Sequence, residues 1–216
     1  MIRCCIFDLD GTLINTVESL KRSTNLVLDQ LGYPPVDDSD IKRIVGDGFR
    51  NQMKRALTIA GDAELVHYKE AEQLYPEIFA ENCLYHVHAY DGICELLETL
   101  KAKGIRIAVL TNKPHERAVE TLNLVFGNGY FDYILGEQEG LPKKPDPTGV
   151  YQILQLLGAE KDECLYFGDT NTDMKTGLSA GVKTIGVTWG FRERTELESF
   201  HPQFIIDHPL EIIENL

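Results

Sequence analysis

Three short apolar runs in this chain each stop abruptly at a cluster of small polar or acidic residues, and that repeated pattern most restricts the fold. The first, over residues 1–7, ends in Asp8-Leu9-Asp10-Gly11-Thr12. The second, over 105–110, ends in Thr111-Asn112-Lys113. The third, over 164–167, ends in Gly168-Asp169-Thr170, with Asp173 four residues beyond Asp169. Further short strands are expected at 133–135, 184–187 and 204–206. Between the strands, apolar residues recur at helical spacing: Ile93, Leu96, Leu97 and Leu100, then 114–125, then Val150, Ile153, Leu154 and Leu157, then 173–180. Asp146-Pro147 is expected to supply the N-cap and first residue of the third of these helices. Strands alternating with helices build a parallel α/β sheet. Ligands bind such sheets beyond the carboxyl ends of the strands, so the polar clusters are expected along one edge.

One long stretch interrupts the pattern just after the first cluster. Val17, Leu20, Val27, Leu28 and Leu31 mark a helix that Gly32 and Pro34-Pro35 end. A short helix is expected at 40–45. Gly46-Asp47-Gly48 follows, then a helical stripe of Phe49, Met53, Leu57 and Ala60, closed by Gly61. Leu65, Tyr68, Ala71, Leu74 and Tyr75 mark another helix, which Pro76 should kink or end. The expected plan is a Rossmann-like parallel core of residues 1–15 and 84–216 with an all-helical insertion over 16–83. Hinges are expected near Asn15–Thr16 and across 83–90.

Composition narrows the class of partner. The chain has 216 residues, 43% of them hydrophobic, and a net charge of -13. That acidity argues against nucleic acid, whose phosphates call for basic stripes, yet leaves room for a small phosphorylated metabolite bound by one or two local cations. The five cysteines are scattered and form no CxxC pair, so neither a disulfide framework nor a zinc site is expected. No apolar run approaches the roughly 20 residues that span a bilayer. The first strand begins without a signal-peptide pattern. A cytoplasmic protein, monomer or homodimer, is expected.

The strand-end clusters suit phosphoryl transfer. Asp8 can attack phosphorus as a carboxylate and form an aspartyl-phosphate. A hard cation such as Mg²⁺, which prefers oxygen ligands, would offset repulsion between that carboxylate and a phosphate dianion. Asp8 and Asp169 are the expected side-chain ligands, with Asp10 contributing its backbone carbonyl. Asp173 is expected either to ligate or to orient a ligand. Asp10 can protonate the leaving oxygen and later activate water. Thr111 and Asn112 are expected to hold phosphate oxygens, although Asn112 could equally cap the next helix. Lys144, in Lys143-Lys144-Pro145-Asp146-Pro147, is expected to neutralise the nucleophile and the transferring group. Lys113 is expected to be a surface residue flanking a helix. Gly46 and Gly48 serve either as helix punctuation or as a substrate-selecting loop, and Arg50 either reaches a substrate carboxylate or lies on a helix surface.

Asp8-Leu9-Asp10-Gly11-Thr12, Leu110-Thr111-Asn112-Lys113, Lys144-Pro145-Asp146-Pro147 and Gly168-Asp169-Thr170-Asn171-Thr172-Asp173 together resemble the four ordered motifs of the haloacid dehalogenase superfamily. The insertion resembles that family's C1 cap. Val45-Gly46-Asp47-Gly48, Tyr90-Asp91-Gly92 and Gly186-Val187-Thr188-Trp189-Gly190-Phe191 resemble its phosphoglycolate phosphatase branch. The resemblance implies Mg²⁺, an aspartyl-phosphate intermediate and a mobile cap, with 2-phosphoglycolate the first substrate to try. A dehalogenase is disfavoured by the acid at Asp10, and a phosphosugar mutase by Thr12. The same motifs would also suit an inorganic pyrophosphatase, or a catalytically silent binding protein on this fold.

Overall fold

Every residue of β1 (Cys4–Phe7) is buried, as a strand at the centre of a sheet covered on both faces requires. The structure is a computed structural model that describes residues 1–214 and 216. By Cα proximity the chain divides into two units, Met1–Asn15 with Ala89–Leu216, and Thr16–His88.

In the first unit, β1 is followed by the two-residue strand β2 (Ile14–Asn15), and the chain re-enters that unit within β3 (His88–Ala89), which pairs with β2. Then come α5 (Ile93–Ala102), β4 (Arg106–Pro114), α6 (His115–Phe126), β5 (Tyr133–Glu137), α7 (Thr148–Leu157), β6 (Cys164–Gly168), α8 (Asn171–Ala180), β7 (Lys183–Val187), α9 (Arg194–Glu198) and β8 (Phe204–Ile206). Single 3₁₀ segments lie at Lys161–Glu163 and Pro209–Asn215. The six long strands run in the order β5-β4-β1-β6-β7-β8, parallel throughout.

The order matters for the site. From β1 the chain steps outward through β4 to β5, then crosses back to lay β6 on the other side of β1. The sheet therefore reverses direction between β1 and β6, the switch point at which open α/β sheets leave a crevice. Phe7 pairs in register with Val109 on one side and Phe167 on the other, so Asp8, Thr111 and Asp169 all emerge beyond the same edge. Alternation along the pleat sends Cys4, Ile6, Ala108, Leu110, Cys164 and Tyr166 to one face, where Val150, Ile153, Leu154 and Leu157 of α7 cover them. Phe7 and Phe167 stack with ring centroids 4.6 Å apart. Such a pair adds about 0.5–1.5 kcal/mol beyond area burial, and it stiffens the two strands that deliver the first and third clusters.

The second unit is helical: α1 (Val17–Gln30), α2 (Asp38–Ile44), α3 (Phe49–Ala60) and α4 (Tyr68–Asn82). α2 opens with a capping box between Asp37 and Asp40. Arg55 clamps the α2–α3 loop: its Nη1 and Nη2 donate to the Asp47 carboxylate at 2.8 and 2.6 Å, and Nη1 also to the Ile44 carbonyl at 2.9 Å.

Several boundaries depart from expectation. Pro76 neither ends nor replaces α4, which runs six residues past it to Asn82. Leu65 lies before that helix in a left-handed turn (φ 56°), because the buried Asp62 carboxylate captures the Val66 and His67 N–H groups. α7 begins at Thr148 rather than Pro147, with Asp146 Oδ1 accepting the Thr148 N–H at 2.9 Å. β4 continues through Thr111, Asn112 and Lys113 to Pro114, so the second cluster is strand and not loop.

Candidate active site

Asp8 is the first residue past β1. Its N–H donates to the Phe167 carbonyl at 2.9 Å, which extends the β1–β6 ladder and fixes where the side chain leaves the sheet. The Asp8 carboxylate is buried and meets Lys144, whose Nζ lies 2.7 Å from Asp8 Oδ1 and 2.7 Å from Asp173 Oδ1. Lys144 itself is buried. Burial alone would lower its pKa, but the carboxylates of Asp173 and Asp8 outweigh that and hold it above the usual lysine value.

Asn112 holds the lysine loop. Its Oδ1 accepts the Lys144 N–H at 2.9 Å and its Nδ2 donates to the Lys144 carbonyl at 3.1 Å. The amide therefore grips the backbone of Lys144, and it does not cap α6, whose N-cap is Pro114. Thr111 Oγ1 accepts from the Lys113 N–H at 3.1 Å, an arrangement that leaves its hydroxyl proton to donate.

Asp173 and Asp169 flank the turn into α8. Thr170 caps that helix and forms a reciprocal box with Asp173. Asp173 Oδ2 accepts from Thr170 Oγ1 at 2.6 Å and Thr170 N at 3.1 Å, while Oδ1 accepts from Tyr166 OH at 3.0 Å and Lys144 Nζ at 2.7 Å. A carboxylate offers about four lone-pair directions, and these four donors use them. Asp169 is fully buried; Thr12 Oγ1 donates to its Oδ1 at 2.9 Å and Phe191 N to its Oδ2 at 2.8 Å, so each oxygen keeps one lone pair. The backbones of Gly11 and Gly190 press against it. A Cβ on Gly11 would fall 2.3 Å from Asp169 Oδ2, and one on Gly190 2.4 Å from both its Cβ and Oδ2.

Asp8, Asp169 and Asp173 thus bring three carboxylate oxygens within 4.8 Å of one another. Burial, followed by the Asp173 charge, pushes Asp169 up to about 7. Burial and the Asp173 charge likewise raise Asp8 well above the carboxylate range, against the pull of Lys144. All donors are oxygen, the chemistry of hard cations.

The Asp10 carboxylate is not in this cluster. It pairs with Lys113, whose Nζ lies 2.9 Å from Asp10 Oδ1. Lys113 is not a surface residue: its side chain is 2% exposed. Sequence reasoning passed it over because a lysine after a strand ordinarily reads as solvated. The signal that could have found it is the neighbouring Thr111 and Asn112, which already placed that segment at the site. Two ammonium groups (Lys113, Lys144) thus meet the carboxylates of Asp10, Asp8 and Asp173 at the strand ends, and the Arg192 charge also acts on Asp169. Gly46, Gly48 and Arg50 belong to the helical unit. Both glycines have positive φ, 118° and 94°, and Arg50 Nε is 2.5 Å from Glu72 Oε1.

Residues 5–187 match the family model described as haloacid dehalogenase-like hydrolase. The chain belongs to that family. A phosphoglycolate phosphatase of Aquifex aeolicus is 32% identical over 99% of this chain and 96% of its own length, and one of Pseudomonas putida is 31% identical over 95% and 76%. The crystal structure of a predicted phosphoglycolate phosphatase from Haemophilus somnus superposes with a TM-score of 0.90 at 27% identity, covering 99% of this chain and 97% of the other. A haloacid dehalogenase-like family hydrolase of Streptococcus pneumoniae gives 0.87 at 25% identity, covering 99% and 98%. Hydrolases of this family commonly work with a divalent metal, and the buried acid cluster is compatible with one. Among the described residues no helix is long and apolar enough to cross a membrane.

Proposed function

We propose that this chain is a Mg²⁺-dependent phosphatase that hydrolyses a small organic phosphate monoester through an aspartyl-phosphate on Asp8, with 2-phosphoglycolate as the substrate. The observation that carries the reading is the single ammonium of Lys144, 2.7 Å from both Asp8 and Asp173, beside the Asp169 carboxylate. A lysine so placed opposes the protonation that burial favours at Asp8 and meets the charge that gathers on a transferring phosphoryl group.

Asp8 and Asp169 would hold the cation directly, helped by the Asp10 carbonyl. Asp173, its lone pairs committed to Tyr166, Thr170 and Lys144, would act through Lys144 and through water. Bound there, Mg²⁺ would supply charge neutralisation between Asp8 and the phosphate. The protein's own groups do the rest. An Asp8 oxygen attacks phosphorus and the ester P–O bond breaks. The leaving alkoxide takes a proton from Asp10. Water then gives a proton to the Asp10 carboxylate and attacks phosphorus, the acyl phosphate P–O bond breaks, and Asp8 and inorganic phosphate are released. The Thr111 hydroxyl donates to a phosphate oxygen.

The helical unit is the proposed substrate selector and gate, with Gly46, Gly48 and Arg50 as its selecting residues; its crossings, between Asn15 and Thr16 and between His88 and Ala89, adjoin the paired strands β2 and β3. A cytoplasmic setting suits its five free thiols.

Hydrolysis of p-nitrophenyl phosphate with and without EDTA, repeated for Asp8→Asn and followed by a panel of phosphorylated metabolites ranked by kcat/KM, tests the proposal. Metal-dependent turnover that Asp8→Asn abolishes supports it. A wild-type protein inert toward every phosphate ester tried, or an active Asp8→Asn, sinks it. A top rank for another ester would correct the substrate alone.

A further inference from the structure

We propose that Lys113 is a positioning residue for the Asp10 carboxylate, holding one of its oxygens so that the other meets the leaving group of the substrate. The inference rests on the reading of Asp10 as the proton shuttle and adds to it a residue that no motif argument selected.

The geometry is specific. A buried ammonium costs several kcal/mol unless it is paired, and Lys113, 2% exposed at its side chain, is paired through Nζ with Asp10 Oδ1 at 2.9 Å. Asp10 is less buried, at 18%, so one end of the pair is fixed in protein and the other looks toward open space. Two further contacts locate the lysine backbone. Thr111 Oγ1 accepts the Lys113 N–H at 3.1 Å. On the next strand Gly136 has no side chain, and a Cβ there would lie 2.8 Å from the Lys113 carbonyl and 2.6 Å from His115 Cα. The β4–β5 register breaks between Leu110 and Pro114, the stretch that carries Lys113. Such irregularities re-aim side chains, and this one lets β4 present Lys113 toward the turn after β1.

The consequence for Asp10 is orientational. Its carboxylate sits in a short turn closed by the Gly11 N–H to Ile14 carbonyl bond at 3.0 Å and by an isolated bridge between Asp10 and Ile14. Three carboxylates cluster at the strand ends, and a fourth left unanchored could swing in to share their cation. The Lys113 ammonium holds it apart. Two acids on one sheet edge thereby keep different tasks: Asp8 with Lys144, Asp10 with Lys113.

The test separates positioning from general damage by leaving-group chemistry. p-Nitrophenolate departs without a proton, whereas the alkoxide of 2-phosphoglycolate needs one. The readout is the ratio of single-turnover rates, 2-phosphoglycolate over p-nitrophenyl phosphate, for wild type, Asp10→Asn, Lys113→Met and the double variant. Loss of a general acid lowers such a ratio by about 100-fold or more. Asp10→Asn should show that fall, and Lys113→Met should lower the ratio by about 10-fold or more. The double variant should match Asp10→Asn within about twofold, because Lys113 acts only through Asp10. Lys113→Leu, which likewise removes the ammonium and its donors, serves if Lys113→Met does not fold. An unchanged ratio in the Lys113 variant beside a fallen one in Asp10→Asn overturns the role of Lys113 alone. So does a double variant well below Asp10→Asn. An unchanged ratio in Asp10→Asn overturns the shuttle itself, and the proposal with it.

Discussion

Replacing Lys144 by Met should destabilise the metal-free protein by about 3–5 kcal/mol at pH 8, and the loss should shrink in acid. Nζ lies 2.7 Å from a carboxylate oxygen of Asp8 and of Asp173. At an effective dielectric of about 20 each contact is worth about 6 kcal/mol of gross attraction. Burying the lysine costs several kcal/mol in return, and removing one member of a buried charge pair typically costs 3–5. Protonation limits the damage. A carboxylate stripped of its partner can take up a proton, at about 1.4 kcal/mol for each pH unit above its ordinary pKa near 3.9. That route costs about 5.6 kcal/mol at pH 8 but only about 2 at pH 5.5, so the penalty of the variant should fall from about 3–5 to about 2 kcal/mol between them. For a chain of this length 3–5 kcal/mol lowers Tm by about 6–20 °C. Thermal and urea unfolding of wild type and Lys144→Met, in EDTA at both pH values, measure this directly. Millimolar MgCl₂ should rescue the variant more than it stabilises wild type, because the cation meets the same orphaned carboxylates. A variant as stable as wild type in EDTA at pH 8, or a loss equal at the two pH values, would refute the reasoning.

The raised pKa of Asp169, about 7, sets a second expectation. Its folded-state pKa exceeds the unfolded value near 3.9, so in the metal-free protein it favours folding fully below about pH 4, and that contribution is lost as the pH rises through about 7. Mg²⁺ competes with the same proton, so its affinity by calorimetry should climb toward pH 7 and flatten above it; a flat affinity from pH 5 to 7 would count against a protonated Asp169. Gly190→Ala places a methyl 2.4 Å from Asp169 Oδ2 and from the Gly11 carbonyl, and should cost about 1–3 kcal/mol with a weaker metal site, read by urea unfolding and Mg²⁺ titration. Asn112→Ala removes two hydrogen bonds to the Lys144 backbone and should cost about 1–3 kcal/mol while lowering kcat more than KM; an unchanged kcat would free Asn112 from any part in holding Lys144.

How much of this was legible in the sequence divides along a physical line. Apolar runs ending in polar clusters are set by local chain chemistry, so the strands, their parallel direction and the convergence of Asp8, Asp169 and Lys144 on one sheet edge could be anticipated from the spacing of residues, whereas the strand order could not. The haloacid dehalogenase-like assignment followed from the same motifs. What the chain could not display locally was how each polar atom spends its bonding capacity. The spacing points Asn112 to a phosphate or to a helix cap, whereas its amide bonds the backbone of Lys144, 32 residues away. Its spacing lets Asp173 either ligate or orient, and only the fold shows the four donors that meet it. Lys113 is the sharpest case. Its backbone lies at a register break against β5 and close to Gly136 of that strand, neighbours that the local sequence does not display. A lysine's default is solvent, and here Lys113 pairs across 103 residues with Asp10 instead. Residue type and spacing therefore announce which groups reach a strand end, while the partners of the four carboxylates, Lys144 for Asp8 and Asp173, Lys113 for Asp10, Thr12 and the Phe191 N–H for Asp169, are set only by the fold.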